Sequence, residues 1–269
     1  MPNAYLWTRY GAAAPALTYI SSAMKLLVCV SKTPETTARI AFTAGNSEFD
    51  ANGVNFIMNP YDEWYALVRA IELKEKNGGT VTLINVGPAG NDAVIRKGIA
   101  LGADDAVRID TEPKSALATA QQIAHYAKEQ GYDIIFTGKE TIDYNAAEVG
   151  AMVAELLDLP YVSFATHLEV AGSTATVSRD IEGGVEVVEV EMPFVLSAAK
   201  GLAEQRIPNM RGIMMAKRKP LNVVAPTEVP ETVSAVAFSL PSDDAPVKML
   251  DPENMDELVR LLHEEAKVI

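Results

Sequence analysis

The hydrophobic pattern from Met24 onward alternates between short, continuous apolar runs and longer segments with a helical period. Continuous apolar runs are typical of strands buried on both faces, as in a parallel sheet. Apolar residues that recur every three or four positions are typical of amphipathic helices. The pattern predicts strands at 25–30, 80–86, 106–109 and 132–138 and helices at 59–76, from Ile95 to Leu101, at 114–130 and at 143–157.

Turn and capping residues set the expected ends of these elements. Asn59-Pro60 is expected to start the first helix, because Asn caps helices and Pro suits the first turn. Asn77-Gly78-Gly79 is expected to end it. Asn52-Gly53 predicts the turn of a short hairpin over 46–56. The helix at 143–157 is expected to bury a stripe of Val149, Met152, Val153 and Leu156.

Strands separated by helices predict parallel pairing through right-handed crossovers. We therefore expect an α/β fold with a parallel, Rossmann-like sheet and helices on both faces. Ligands in such folds bind beyond the carboxyl ends of the strands. Those ends are Val30-Ser31-Lys32, Val86-Gly87-Pro88 and Gly138-Lys139-Glu140. The G-x-G-x-x-G and Walker A fingerprints are both absent from the sequence.

The pattern changes after Pro160. Residues 166–191 alternate apolar and polar side chains and predict an antiparallel meander at the edge of the parallel sheet. A Pro-rich, acidic tract over 220–252 predicts an extended arm rather than core. Asp251-Pro252 is expected to open a final helix with Met255, Leu258, Val259 and Leu262 on one face.

Residues 1–23 show no amphipathic period, and Pro15 interrupts their one apolar stretch, which is too short to span a bilayer. We interpret them as a disordered extension or as residues upstream of the true start, with the folded protein beginning at Met24. Arg9 and the end at Ser21-Ser22-Ala23 leave a signal peptide or an organelle presequence as the alternative. The expected location is the bacterial cytoplasm, or the mitochondrial matrix if these residues are a presequence.

Charge and cysteine content narrow the function classes. The 269 residues carry a formal net charge of −13, which argues against nucleic-acid binding because that function needs a basic surface. The single cysteine, Cys29, lies in an apolar run and is expected to be buried and inert. The three histidines share no motif, so we expect no metal site and no nucleophile–base pair.

Residues 205–220 are rich in basic side chains and methionine, although the chain as a whole is acidic. It carries Arg206, Arg211, Lys217, Arg218 and Lys219 without an acidic residue, and also Met210, Met214 and Met215. Pro208 and Gly212 predict a loop. Exposed apolar side chains flanked by basic side chains are typical of a surface that binds another protein. Methionine suits surfaces that bind several partners. A solvated charged loop is the alternative.

The loop after the fourth strand is the predicted phosphate site. Gly138 ends that strand and Asp143 is expected to start the next helix, so backbone N–H groups converge between them. Asp143 itself would repel a phosphate, so its expected task is helix capping or a sugar contact. An ordinary strand-to-helix turn is the alternative.

Four stretches together resemble the electron transfer flavoprotein β subunits. Residues 58–75 match that family's Asn-Pro helix start, 87–107 its G-P…R-x-A-L-A-M-G-A-D segment, 138–152 its nucleotide loop and 177–184 its V-x-R-x-I-D-G-G hairpin. Residues 203–219 match its recognition loop. The resemblance covers 24–220 as an α/β domain of the adenine nucleotide α-hydrolase-like type. Residues 221–269 match in general character, as a C-terminal arm and helix that pack on the α subunit.

The resemblance implies an electron carrier rather than an enzyme with its own substrate. It implies a heterodimer with an α subunit that holds most of an FAD, and an AMP buried in the β subunit. Electrons would arrive from acyl-CoA dehydrogenases and related flavoprotein dehydrogenases, as in fatty acid β-oxidation. They would leave toward a membrane quinone oxidoreductase, with no membrane insertion of this chain.

The family's functional residues carry over by position. The implied AMP pocket consists of Cys29, Asn59, Pro60, Val86, Gly138, Lys139, Glu140, Thr141, Ile142, Asp143, Tyr144 and Asn145. Thr36 stands where the family approaches the flavin. Met210 stands at the apolar anchor of the recognition loop, with Arg206, Arg211, Met214 and Lys217 around it. Asp180, beside Arg179, stands where the family's β subunit pairs with an arginine of the α subunit; a solvent-exposed cross-strand ion pair is the alternative for these two residues.

Two other functions stay open at this point. Electron-bifurcating relatives hold a second FAD and carry D-G-D-T-A-Q-V-G where this chain reads D-Y-N-A-A-E-V-G at 143–150. Tyr144 would crowd a flavin pyrophosphate, so the sequence favours AMP. The alternative from another class is a stand-alone regulatory module that binds an adenine nucleotide, which would explain neither the methionine-rich loop nor the arm.

Overall fold

The computed structural model describes residues 5–10, 23–241 and 247–269. The strands are β1 (Tyr5–Tyr10), β2 (Met24–Cys29), β3 (Lys32–Pro34), β4 (Phe42–Thr43), β5 (Glu48–Phe49), β6 (Phe56–Met58), β7 (Gly79–Val86), β8 (Asp105–Ile109), β9 (Ile134–Gly138), β10 (Tyr161–Ala171), β11 (Thr174–Ile181), β12 (Gly184–Glu191), β13 (Phe194–Ala198) and β14 (Leu221–Val224). The helices are α1 (Asp62–Asn77), α2 (Asp92–Leu101), α3 (Ala116–Ala127), α4 (Val149–Leu157), α5 (Met210–Ala216) and α6 (Met255–Arg260).

Ten strands form one sheet in the order β1-β12-β11-β10-β13-β9-β2-β7-β8-β14. The seven strands from β10 to β14 in this order are parallel. β10, β11 and β12 form an antiparallel meander. The predicted α/β fold, with its parallel sheet and antiparallel edge, is confirmed.

Helices cover both faces of the sheet. Successive side chains of each strand point to opposite faces, so each strand contributes to two cores. Leu26 and Val28 of β2 pack in one core with side chains of α1 and α2. Leu27 and Cys29 pack in the other core with side chains of α3 and α4. Two cores explain why the parallel strands read as continuous apolar runs.

Two predicted helix starts are wrong. α1 begins at Asp62, and its capping position is Tyr61, with φ 65° and no side-chain cap, rather than Asn59. α4 begins at Val149 rather than Asp143. Asn145 and Ala147 have φ 53° and 56°, which are left-handed conformations that a right-handed helix excludes. The buried stripe of α4 contains Gly150, Val153 and Ala154, whereas the predicted Leu156 is exposed.

The predicted hairpin over 46–56 is also wrong. β4 and β5 pair around a 3₁₀ turn at Ala44–Asn46, so the hairpin lies earlier in the chain. β6 pairs with β3 instead, which brings Phe56 beside Pro34. Gly53 does form a turn, with φ 72°, but the turn precedes a strand with a distant partner.

The chain divides into two units. The larger comprises the described parts of Met1–Arg39 together with Ala51–Val236, and contains the ten-stranded sheet. The smaller comprises Ile40–Asp50 and the described parts of Ala237–Ile269. In the smaller unit the rings of Phe42 and Phe238 stack with centroids 5.3 Å apart, and the Phe238 N–H donates to Asn46 O at 2.7 Å.

The two ends of the chain differ from the sequence-based expectations. Tyr5–Tyr10 form a strand parallel to β12. These residues belong to the segment that was expected to be a disordered extension. The other positions of that segment up to residue 22 lie outside the described part of the chain. The expected arm over 221–269 begins with β14, which pairs with β8. The Gln122 side chain then holds the backbone of Thr227 with two hydrogen bonds, of 2.6 and 2.9 Å.

Candidate functional site

The order of strands reverses between β2 and β9. From β2 the chain continues to β7 and β8 on one side of the sheet, and β9 and β13 lie on the other. A reversal of this kind opens a crevice at the carboxyl ends of the two strands, where α/β folds bind their ligands. The loops that border this crevice follow Cys29 and Gly138.

Asn59 joins three loops at this crevice. Its backbone N–H donates to Ser31 O at 3.0 Å, and its side-chain Nδ2 donates to Glu140 O at 3.0 Å. Its Oδ1 accepts the N–H of Ile142 at 3.0 Å. The side chain is fully buried and both its polar atoms are satisfied. Asn59 was predicted at the site, but its role is to clamp the loop after β9 rather than to cap α1.

Glu63 is a residue of the crevice that the sequence analysis missed. Its side chain is only 4% exposed, and its Oε2 accepts the N–H of Ser31 at 2.6 Å. Gly138 lies directly against it, because a Cβ at Gly138 would stand 2.8 Å from Glu63 Cγ and 3.1 Å from Glu63 N. A signal was present: Glu63 precedes Leu67 and Ile71 at spacings of four, which places it on the buried stripe of α1.

The electrostatics of the crevice are dominated by carboxyl groups. Burial raises the pKa of Glu63 to about 8; the hydrogen bonds from Ser31 oppose the rise, and the carboxylates of Asp143 and Asp62 add to it. Burial also raises the pKa of Asp62. Lys139 Nζ is paired with Glu140 Oε1 at 2.9 Å, so its charge is already balanced within the chain.

The Cys29 thiol is buried at the same strand end. Burial raises its pKa, and the neighbouring Glu63 adds to this effect, so the sulfur stays protonated and unreactive. The expectation of a buried, inert thiol agrees with this geometry.

The remaining predicted residues of the nucleotide pocket are less closely grouped. Val86 ends β7, the strand next to β2, and Pro60 follows Asn59 into α1. In the loop after β9, the N–H of Asn145 donates to Thr141 O at 2.9 Å, and the Tyr144 ring is exposed. Thr36 lies exposed in the turn after β3.

The predicted cradle at a helix start near Asp143 is replaced by a different arrangement. Ala147 is left-handed, with φ 56°, and Glu148 is right-handed, with φ −100° and ψ −37°. Successive residues of opposite hand turn their N–H groups toward a common concavity, which can bind an anion. The backbone of these two residues therefore has a conformation of the kind that binds anions, although α4 starts six residues later than predicted.

The segment 205–220, rich in basic side chains and methionine, contains a short helix, α5, where a loop was predicted. Asn209 caps it by accepting the N–H of Gly212 at 2.8 Å. Met210 and Met214 are 74% and 66% exposed, and Arg211 and Lys217 are exposed beside them. Ile207, which the sequence analysis missed, is 90% exposed. We name this set the methionine surface: Ile207, Met210, Arg211, Met214 and Lys217.

Two arginines that were predicted to bind a partner protein form ion pairs within the chain instead. Arg206 pairs with Glu75 at 3.0 Å and with Glu72 at 3.6 Å on α1, so its charge is balanced. Arg179 pairs with Glu186, directly across β11 and β12, and donates to Ser163 Oγ at 2.6 Å. This cross-strand ion pair is the alternative that the sequence analysis left open for Arg179, although Glu186 is buried rather than solvent-exposed. Asp180 is exposed and forms no ion pair within the described residues.

Among the described residues, no helix is both long and apolar enough to cross a bilayer.

Comparison with known proteins gives a consistent result. Residues 47–229 match the model of the electron transfer flavoprotein domain. The chain is 37% identical over 261 residues to the electron transfer flavoprotein subunit beta of Bacillus subtilis (strain 168), covering 91% of this chain and all of that protein. It is 39% identical over 222 residues to the subunit of the same name from Syntrophomonas wolfei, covering 81% and 86%. For the human subunit the identity is 28% over 253 residues, covering 91% and 99%.

Proposed function

We propose a specific role for this chain on the premise that it belongs to the electron transfer flavoprotein family, among the β subunits. Membership implies an α-subunit partner and an association with flavin. The proposed role is to carry electrons, within that heterodimer, from flavoprotein dehydrogenases such as acyl-CoA dehydrogenases to a membrane quinone oxidoreductase. The chain has no substrate of its own in this role.

The methionine surface is the observation that carries this proposal. Three large apolar side chains, Ile207, Met210 and Met214, are exposed together and have Arg211 and Lys217 beside them. The chain as a whole has a formal net charge of −13, so this is a local basic and apolar surface on an acidic protein. Such a surface fits an acidic partner with an apolar pocket: the charges speed and orient the encounter, and the apolar anchor supplies the affinity.

The proposed nucleotide of the crevice is AMP. Gly138 permits the close approach of α1, and the opposite-handed backbone conformations of Ala147 and Glu148 support a phosphate contact through their N–H groups. The carboxyl groups of Asp62 and Asp143 lie near the buried Glu63 at the same crevice, which favours a ligand with few phosphate charges. In this proposal Asn59, Gly138 and the loop 139–145 hold the AMP, which has a structural role.

FAD, held mostly by the α subunit, supplies the electron-accepting group when it is bound. This chain contributes surfaces that position it. The segment around Thr36 is proposed to face the flavin, and the exposed Asp180 carboxylate to pair with an arginine of the α subunit. Met255, Leu258 and Val259 of α6 are exposed apolar side chains that fit the proposed packing of the C-terminal segment on that subunit.

The test is electron transfer by the heterodimer with Met210→Ala, and Leu156→Ala as the control. Leu156 is an exposed apolar side chain on α4 and lies outside the methionine surface. Burial of a methionine side chain at an interface is worth about 1.5 kcal/mol or more, so we expect KM for the reduced dehydrogenase to rise at least about tenfold. FAD content and the control should be unchanged; an unchanged KM with Met210→Ala would refute the docking role.

Nucleotide content separates the remaining alternatives. The heterodimer, co-expressed with its α subunit, is denatured with acid and its ligands are quantified by chromatography. The proposal predicts one FAD and one AMP per heterodimer. Two FAD would instead indicate an electron-bifurcating complex. A chain that stays alone, with an adenine nucleotide and no flavin, would indicate the regulatory module.

A further inference from the structure

The helix that presents the methionine surface cannot be stable by itself. α5 has only seven residues, and isolated helices shorter than about 12–15 residues are marginal in water. Its side chains do not supply a core either, since Ala216 is its only buried residue. The conformation of α5 must therefore depend on contacts with the rest of the larger unit.

The main contact is made by α2, through its backbone. A Cβ at Gly212 would overlap the carbonyl oxygen of Ala100, so the two helices touch backbone to backbone at this point. Only glycine allows this approach. The contact explains why a residue that usually weakens helices stands in the middle of α5.

Arg96 of α2 holds the carboxyl end of α5. Its Nη1 donates to Ala216 O at 2.7 Å and to Lys219 O at 2.5 Å. Carbonyl groups in the last turn of a helix have no partner within the helix, and a guanidinium supplies strong, charge-assisted donors. Lys219 Nζ donates in turn to Ala103 O at 2.6 Å, just after α2.

The other end of the segment is held by α1. Trp64 Nε1 donates to Arg206 O at 3.1 Å, and Arg206 pairs with Glu75 at 3.0 Å. Both ends of 206–219 are thus fixed to rigid helices while the apolar side chains between them stay exposed. A surface with this arrangement is preorganised, which lowers the entropy lost on binding.

We propose that Arg96 is a positioning residue that keeps α5 in its docking conformation before a partner arrives. The proposal rests on the docking role of the methionine surface. Arg96 is partly buried beneath that surface and acts through the carbonyl groups of Ala216 and Lys219. If its loss leaves α5 in the docking conformation about a tenth of the time, the apparent dissociation constant rises about tenfold.

The test uses the intact heterodimer with Arg96→Gln, and Lys128→Gln as the control. Lys128 is exposed at the end of α3, so its variant makes the same change in net charge without touching the two carbonyls. For Arg96→Gln we expect backbone amides over 212–219 to exchange hydrogen at least about tenfold faster, and KM for the reduced dehydrogenase to rise about tenfold. The saturating rate kcat and the FAD content should not change. Arg96→Lys, which keeps a charged donor, should restore part of the KM.

The outcomes are distinguishable. Unchanged hydrogen exchange, or faster exchange with an unchanged KM while Met210→Ala raises it, overturns the proposal for Arg96 alone. If neither variant raises KM, the docking role of the surface fails and the proposal fails with it. An equal rise with Lys128→Gln would assign the effect to charge and would also overturn the proposal. If Arg96→Gln does not fold, the same comparison is made with Arg96→Lys, for which we expect a smaller rise.

Discussion

Substitution of Glu63 by glutamine is expected to stabilise the protein at alkaline pH and to have little effect in acid. Glutamine has nearly the same shape and keeps an acceptor oxygen for the N–H of Ser31, but it cannot ionise. The wild-type carboxyl is buried, with a pKa raised from its ordinary 4.5 to about 8. Between these two values the folded protein retains a proton that the unfolded chain has released.

The sign and size of the effect follow from this difference. Because the folded state binds more protons, the free energy of unfolding of the wild type falls as pH rises from about 4.5 to 8. At about 1.4 kcal/mol per pH unit, the loss from this one carboxyl reaches at most about 5 kcal/mol by pH 8. Glu63→Gln removes the loss, so its advantage should grow with pH and become constant above about 8.

The assay is urea unfolding of the heterodimer at one protein concentration, at pH 5.5, 7.0 and 8.5, without added nucleotide. Glu155→Gln, on the exposed side of α4, is the matched control and should give a curve parallel to the wild type. We expect the gap between Glu63→Gln and the wild type to widen by several kcal/mol over this range. A gap that is the same at all three pH values would refute the assignment of Glu63 as a protonated buried carboxyl.

Two further substitutions test the crevice and the α-subunit contact. Asn59→Ala leaves the N–H of Ile142 and the carbonyl of Glu140 without their partners, so it should lower the free energy of unfolding by about 2–3 kcal/mol and release AMP from the purified heterodimer. The control is Asn222→Ala, on the exposed side of β14. Full AMP content in Asn59→Ala would contradict this prediction. Asp180→Ala should change the rate of electron transfer in stopped-flow experiments and the small-angle scattering profile, because a restraint on the α subunit is lost. The exposed neighbour Glu182→Ala should change neither, and identical results for both variants would make Asp180 an ordinary solvated carboxylate.

The sheet was predictable because its signal is spread over many residues. Each buried strand contributes a whole apolar run, such as Leu26, Leu27 and Val28, and no single contact can override it. The carboxyl ends of β2 and β9 therefore appeared at the correct places, and with them the position of the crevice. Gly138 was placed correctly for the same reason.

The errors lie where one tertiary contact overrides a local preference. Asn59 has the sequence context of a helix cap, but its side chain is used by Glu140 and Ile142 from another loop. Residues 143–148 have an acceptable helix composition, yet two left-handed conformations in that loop delay α4. The role of Arg96 depends on two carbonyl groups more than 100 residues away, a contact that no local pattern specifies.

The smaller unit has a consequence for synthesis of the protein. Its two parts, Ile40–Asp50 and the described residues of Ala237–Ile269, lie far apart in the sequence, and the stack of Phe42 on Phe238 joins them. A ribosome adds Phe238 long after Phe42, and most strands of the sheet are synthesised between the two. Phe42 therefore has no partner ring while those strands emerge. Completion of this unit requires translation to have passed Phe238.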